Sequence, residues 1–355
     1  MLGVVITGGA NGVGWAYADE FLARKHSVII CDIKDPEAAV AALKRKHPST
    51  CSGVSYCCPP CHHACPTHTL SPFTALDGDI HGLACDVGDT DAVDKLGEFA
   101  QEKLGTIHYW INNAGINGGR RSFDSLGYKT IEAVVKVNLL GTLYCTQVAL
   151  KIMKEQKETI GHIFNTVGSG VKGGGTPGYV VYGATKRGLP QMTDSLVAEL
   201  EKGVQGYQQK KAKGDVRVHT LSPGMVFTQL LLDDSTPELR KFPFGVLAAQ
   251  PEEVAQDLVP KILGVQGNGQ KVEFLTTDKI LTAFYRKFIL GEQSQYAILP
   301  HPATALPVLF FPLLRLSFPA PSCPLLFYRP SPPPYPRTQS SPIASTLGTS
   351  TTTET

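Results

Sequence analysis

Tyr182 stands four residues before Lys186 in the stretch YGATKRG. On a helix those two positions share a face, so a phenol and an ammonium can reach one site. A free phenol, with a pKa of about 10, exchanges protons poorly near neutrality. A nearby cation stabilises the phenolate and lowers that value. The pair therefore has the makings of a general acid, although the same spacing also occurs on ordinary solvated helices. The remaining chemistry-bearing residues must discriminate between the two.

The first of these is TGGANGVG, from Thr7 to Gly14, which follows an apolar run and opens a helical pattern. Gly8 and Gly12 permit a tight turn and close approach of backbone to a pyrophosphate, and Gly14 permits close packing of helix on sheet. With Asn11 and Val13 they form a phosphate-binding loop at a helix N-terminus. Asp32 ends the second apolar run eighteen residues after Gly14. That is near the spacing of an acid that binds the adenosine ribose hydroxyls. A carboxylate there repels a 2′-phosphate and Asn11 brings no positive charge, so this pocket favours NADH, with Lys34 pulling the other way. Asp86 and Val87 end a third run, where Asp86 is placed to bond an adenine amino group or, with no ligand, to cap a helix. Asn113, Ala114 and Gly115, in NNAG, end a fourth run and let backbone come close to a cofactor. Ser169 lies thirteen residues before Tyr182, and Asn138 lies within a long helical region. Pro223, Gly224 and Thr228, in SPGMVFT, follow a sixth run, where a loop could cover a nicotinamide.

These residues sit at the ends of alternating elements. GVVIT, SVIICD, HGLACD, HYWIN, GHIFNTV, VRVHTLS and KVEFLT read as strands. Helical patterns fall between them, including residues 129–156 and 182–202. Such alternation predicts an α/β fold, a Rossmann-type doubly wound parallel sheet in three layers and one domain. Its chemistry is expected at the carboxyl ends of the strands. The expected domain covers residues 1–297. It is interrupted at 48–80 by a Cys/His/Pro-rich insertion without period, and followed by a Pro/Ser/Thr-rich tail, 298–355, that cannot build a core.

The bulk properties exclude some classes. The 355 residues carry a formal net charge of +2, so no global field points to nucleic acid. The chain opens directly on the first strand pattern, without a secretory leader. No uninterrupted apolar run is long enough to span a bilayer, and LPVLFFPLLRLSF is cut by Pro307, Pro312 and Arg315. Of nine cysteines, Cys31, Cys85 and Cys145 sit in apolar patterns and five crowd into residues 51–65. Cys57, Cys58, Cys61, Cys65, His62, His63 and His68 include a CPPC spacing that suits zinc. A structural site would however show two separated ligand pairs, so no metal is assigned.

In their order and combination, TGGANGVG, NNAG, Asn138, Ser169, YGATK and PGMVFT resemble the short-chain dehydrogenases/reductases over roughly residues 1–290. That resemblance implies Tyr182 as general acid/base, with Lys186 lowering its pKa and holding the nicotinamide ribose. It also implies Ser169 on the substrate oxygen and Asn138 supporting a water in a proton relay. WINNAGIN, GHIFN, YGATKRG, VHTLSPGMV and PEEVAQDLVPKI more narrowly resemble the chlorophyll(ide) b reductases of the smaller, non-membrane-spanning type. The implied substrate is chlorophyll(ide) b, its 7-formyl group reduced to 7-hydroxymethyl with NADPH. The implied setting is the chloroplast at the thylakoid surface. Antenna complexes, a membrane-bound sister reductase and homo- or hetero-oligomers are the implied partners. The competing readings are another short-chain oxidoreductase acting on a steroid, sugar or lipid alcohol or ketone, and a non-catalytic cofactor-binding scaffold. Residues 226–246 are expected to form the substrate-side lid.

Overall fold

The computed structural model describes residues 1–48, 78–168, 174–206, 212–232 and 244–291. Seven parallel strands form one sheet in the order β3-β2-β1-β4-β5-β6-β9. They are β1 (Gly3–Thr7), β2 (Ser27–Asp32), β3 (Ile80–Ala84), β4 (Tyr109–Asn112), β5 (Ile160–Thr166), β6 (Asp215–Ser222) and β9 (Lys271–Glu273). Successive residues point to opposite faces, and both faces are covered, which is why the strands read as continuous apolar runs. Val4, Ile6, Ile30, Ile111 and Phe164 pack on α1 (Gly12–Ala23) and α8 (Pro251–Leu263). Val5, Ile29, Trp110, Ile163 and Val218 pack on α3 (Thr90–Leu104) and α5 (Thr142–Glu155). Each such fully buried side chain contributes roughly 1.5–3 kcal/mol. The chain runs outward from β1 to β2 and β3, then returns to β4 on the other side of β1. A crevice opens at that reversal of order, between the ends of β1 and β4.

Several elements differ from the sequence expectation. The insertion expected to run to residue 80 ends earlier, because Ile80 is buried in β3 and pairs with Val28. Residues 49–77, with the Cys/His cluster, lie outside the described residues. The long helical region divides into α4 (Tyr128–Val135), a π-helical turn (Lys136–Gly141) and α5. Together, Tyr128–Glu155 is long and apolar enough to cross a membrane by length and composition, where the sequence showed no uninterrupted apolar run. In this fold Cys145, Ala149 and Met153 of that helix are fully buried in the core beneath the sheet. Helix α6 (Val180–Lys202) starts two residues before the expected boundary and takes Tyr182 into its first turn. A two-stranded ladder of β7 (Met225–Val226) with β8 (Ala248–Ala249), and helix α9 (Thr277–Phe288), carried no recognised signal.

Near the lower half of β5 an aromatic stack joins Tyr109, His162, Phe164 and His219. The Gln270 amide donates to His219 Nδ1 at 3.2 Å. That leaves the His219 proton on Nε2, which lies 3.0 Å from His162 Nδ1 and donates to it. A second proton on either ring would therefore face a donor. Burial lowers His162 to about 4 and His219 to about 3. Their neutral forms stabilise the fold fully above about pH 6.5, and that contribution is lost as pH falls toward the folded values. The thermal midpoint should therefore fall steeply between pH 6.5 and 4, and His162→Phe should roughly halve that slope. An unchanged slope in the variant, measured by calorimetry, would contradict the assignment.

Candidate active site

The glycine loop and the end of β4 are built as one unit. Thr7 Oγ1 accepts the Asn113 and Ala114 amides, each at 3.0 Å. Asn113 Nδ2 donates to the carbonyls of Thr7 and Gly8, each at 3.1 Å. Gly8 and Gly12 have φ of +63° and +56°, a region that L side chains avoid. A Cβ on Gly14 would strike the Gly8 carbonyl and stand 2.7 Å from Asn113 Nδ2. Asn11 is the N-cap of α1 without a side-chain cap bond, and the first turn holds no acidic residue. The first amides of α1 are thus left for an anion. Val13 is buried behind the loop.

Asp32 ends β2, and its Oδ2 accepts the Ala10 amide at 3.2 Å. The carboxylate therefore shapes the loop as well as lying beside it. Asp86 Oδ1 accepts the Gly88 amide at 2.9 Å, and its Oδ2 pairs with Lys136 at 3.2 Å. The alternative that Asp86 caps a helix is corrected: Asp89 caps α3, accepting from the Asp91 and Ala92 amides. Val87 is buried and shares a narrow crevice with Thr7, Asn112, Ala114 and Thr142. Uncapped amides, the glycine cradle and a carboxylate at the end of β2 fit a nicotinamide dinucleotide.

Asn138, Lys186 and Tyr182 converge on two glycines. A Cβ on Gly115 would stand 3.3 Å from Asn138 Oδ1 and 3.4 Å from Lys186 Nζ. A Cβ on Gly168 would stand 2.6 Å from the Tyr182 hydroxyl and 3.0 Å from Lys186 Cγ. Lys186 is buried and donates to the Thr166 carbonyl at 2.9 Å. Asn138 is buried in the π-helical turn. Its Oδ1 accepts the Ile116 amide at 2.8 Å, and its Nδ2 donates to the Ile116 carbonyl at 2.8 Å. The Asn138 side chain thus clamps the chain after NNAG, which the sequence did not suggest. Ser169 lies outside the described residues.

The electrostatics correct one expectation. Tyr182 is not lowered: burial raises it to about 12, with the neighbouring Tyr179 adding to the effect. Burial instead lowers Lys186 to about 8. Both groups leave water, and the neutral form of each gains. The phenol is held protonated, the state a proton donor needs.

The loop after β6 closes the far side. A Cβ on Gly12 would stand 3.2 Å from the Thr228 methyl. Gly224 has a φ of +76° and turns against Leu275, just after Pro223. Asn117 Nδ2 donates to the Leu230 carbonyl at 2.6 Å, joining the loops after β4 and β6. Residues 233–243 of the expected lid lie outside the described residues. Sequence reasoning missed Gly168, Thr166 and Asn117. Gly168, next to Ser169, is a signal that could have been read.

A family model described as short chain dehydrogenase matches residues 65–238. The chain is 35% identical, over 81% of its length, to the probable chlorophyll(ide) b reductase NYC1 of Oryza sativa subsp. japonica, covering 52% of that protein. It is also 35% identical, over 81% of its length, to the chlorophyll(ide) b reductase NOL of Arabidopsis thaliana, covering 74%. The chain therefore spans about half the length of the NYC1 relatives it matches. Among solved structures it shares the fold of a 3-ketoacyl-(acyl-carrier-protein) reductase from Brucella melitensis complexed with NADH. That match has a TM-score of 0.58 and 21% identity, and covers 77% of this chain and 96% of the other.

The burial of Lys186 has a measurable cost. Its shift from the ordinary lysine value to about 8 corresponds to about 3 kcal/mol of destabilisation while the amine is charged. The cost is full below pH 8 and fades as pH rises toward the unfolded value of about 10.4. Lys186→Met loses one hydrogen bond, worth about 1 kcal/mol. It should nonetheless melt above the wild type at pH 7, with the gap closing between pH 8 and 10. A destabilised variant whose deficit does not change with pH would contradict this.

Proposed function

The chain belongs to the short-chain dehydrogenases/reductases, and from that premise we propose that it is an NAD(P)H-dependent reductase of a carbonyl group. We take its substrate to be the 7-formyl group of chlorophyll(ide) b. The convergence of Tyr182, Lys186 and Asn138 on two bare glycines beside the dinucleotide cradle carries this reading. When bound, a reduced nicotinamide supplies the hydride. The protein's own residues do the rest. The uncapped amides of α1 and the Gly8 and Gly12 turn hold the pyrophosphate, and Asp32 takes the adenosine ribose. Asp86 and Val87 flank the adenine. Ala114 and Gly115 approach the nicotinamide side through backbone alone, and Pro223, Gly224 and Thr228 cover it.

Tyr182, protonated at neutral pH, donates its proton to the carbonyl oxygen as negative charge develops there. Ser169 donates a second hydrogen bond to that oxygen. The Lys186 ammonium stabilises the phenolate left behind and binds the ribose hydroxyls. Asn138 fixes the Ile116 backbone and with it the floor of the site. The substrate reading rests on the reductase names of the relatives, which are also the support for a chloroplast setting. A thylakoid surface, a membrane-bound sister reductase, antenna complexes and an oligomer follow from the same reading. An oxidoreductase acting on a different apolar carbonyl or alcohol shares the site and differs only in the lid.

Purified protein with chlorophyllide b and NADH should give the visible absorption change of formyl reduction. Tyr182→Phe should lower the rate about 100-fold or more while NADH affinity stays within about threefold. Retained turnover in that variant would refute the role of the phenol. Asp32 also sets cofactor choice, through repulsion of a 2′-phosphate. The wild type should favour NADH over NADPH by about tenfold in kcat/KM, the equivalent of 1.4 kcal/mol, and Asp32→Ser should narrow that ratio. A wild type that prefers NADPH would overturn the assignment.

A further inference from the structure

The carbonyl-reducing site leaves helix α9 without a task. Not one residue of this helix is buried. Its inner side is fixed. Lys279 Nζ pairs with Asp257 Oδ1 of α8 at 2.7 Å and lies 4.0 Å from the centre of the Phe274 ring. Ile280, Ala283 and Phe284 are half-buried, and the helix packs on residues 245–247. The outer side is apolar. Leu281, Tyr285 and Ile289 follow one another at four-residue steps, in one row, and are 64%, 54% and 69% exposed. Leu290 is exposed as well, and the Ile289 and Leu290 amides both donate to the Tyr285 carbonyl, which keeps them on the last turn. Arg286 and Lys287 lie in that turn, and neither is in an ion pair among the described residues. Asp278, the one acidic residue of the helix, stands eight residues before Arg286, about 12 Å away along the axis. Single exposed apolar side chains are ordinary, but a row of them beside unpaired cations is an interfacial pattern.

The helix has 12 residues. At about 18 Å it is too short to span an apolar layer about 30 Å thick. Its length does suit a helix that lies in the plane of a lipid headgroup layer, apolar side down and cations at the edge. We propose that α9 docks the protein on an anionic lipid bilayer. Leu281, Tyr285, Ile289 and Leu290 enter the boundary of the acyl region, and Arg286 and Lys287 meet the headgroup charge. The tyrosine fits such a row, with an apolar ring and a hydroxyl left in water. Charge and substrate together favour a bilayer as the occupant. Anionic headgroups attract the two cations, and an apolar tetrapyrrole partitions into the same layer. The inference deepens the reading given above, in which the chain works at a thylakoid surface. It also places that surface beside the site. A Cβ on Gly224, in the loop taken to cover the nicotinamide, would stand 2.7 Å from Cγ of Leu275, which directly precedes the Thr276 cap of α9. Residues 245–247, on which the helix packs, adjoin the end of the expected lid.

Co-sedimentation of the full chain with lipid vesicles tests this. The wild type should bind vesicles of two parts phosphatidylcholine to one part phosphatidylglycerol about tenfold more tightly than vesicles of phosphatidylcholine alone. Arg286→Gln combined with Lys287→Gln should remove most of that difference. Leu281→Ser combined with Ile289→Ser should weaken binding to the anionic vesicles by about tenfold or more. In the absence of lipid this apolar pair should melt with the wild type, because both side chains are exposed. A loss of stability there would show that the protein itself covers the row, and would overturn the proposal. Equal binding of the two vesicle types by the wild type, or anionic binding that survives both variants, would also overturn it. So would a wild-type dimer that the apolar pair converts to a monomer in light scattering, because that would seat a second copy on the row. Binding is read without turnover, so the two readings fail separately. A chain that binds in this pattern and reduces no chlorin keeps the docking face and loses the substrate. A chain that reduces chlorophyllide b and ignores both vesicle types keeps the substrate and loses the docking face.

Discussion

Lys186 is an ammonium taken out of water and held against a backbone carbonyl, an amide side chain and a glycine. The candidate site depends on that placement. Its Nζ bonds the Thr166 carbonyl at the end of β5, near Asn138 Oδ1 and the Cα of Gly115. A buried charge is tolerated where fixed dipoles replace its hydration. The fold supplies them from the end of β5, the turn after β4 and the π-helical turn. The same burial holds the phenol of Tyr182 protonated and brings the amine within reach of neutral pH. Groups shifted in opposite directions beside an anion-binding loop mark a functional site more strongly than either does alone.

A polar network beneath the crevice keeps this geometry rigid. Trp110 Nε1 donates to Asn112 Oδ1 at 3.0 Å, and Asn112 Nδ2 donates to Thr146 Oγ1 and Asn165 Oδ1, each at 2.9 Å. Asn165 Nδ2 in turn reaches Thr193 Oγ1 at 3.2 Å. All these groups are buried, and together the bonds tie β4 to β5, β4 to α5 and β5 to α6. The π-helical turn has a related role. It places Asn138 against Ile116, and Thr142 Oγ1 donates to the Asn138 carbonyl at 2.9 Å. Single π turns within α-helices often accompany functional sites, and here the extra residue per turn aims one amide side chain at the loop it clamps.

The alternation of apolar runs made the sheet legible, because strands buried on both faces are predominantly apolar. The spacing of Tyr182 and Lys186 was legible because a helix has a fixed period. The glycine loop was legible because few residues adopt its φ values. Other features depend on contacts between distant segments, for which the sequence holds no local signal. The bare Cα of Gly168 matters only because Tyr182 lies over it. Asn138 serves as a clamp only because the π turn brings it to Ile116. The pKa of Tyr182 ran opposite to expectation, because a one-dimensional reading counts the neighbouring cation and not the loss of water around both groups. Helix α9 is a different case: Thr276 caps it, Asp278 lies in its first turn and Arg286 and Lys287 in its last, local signals that the sequence reading passed over.

The central claim is that the phenol and the lysine stem share a space that only a glycine at position 168 leaves open. Single-turnover reduction by the Gly168→Ala variant tests it most directly, with NADH affinity measured in parallel by fluorescence. The added methyl has no room beside the Tyr182 hydroxyl and Lys186 Cγ. The chemical step should therefore slow by about 100-fold, the scale of a lost general acid, while the dissociation constant for NADH stays within about threefold. A variant that reduces its substrate at the wild-type rate would contradict the account.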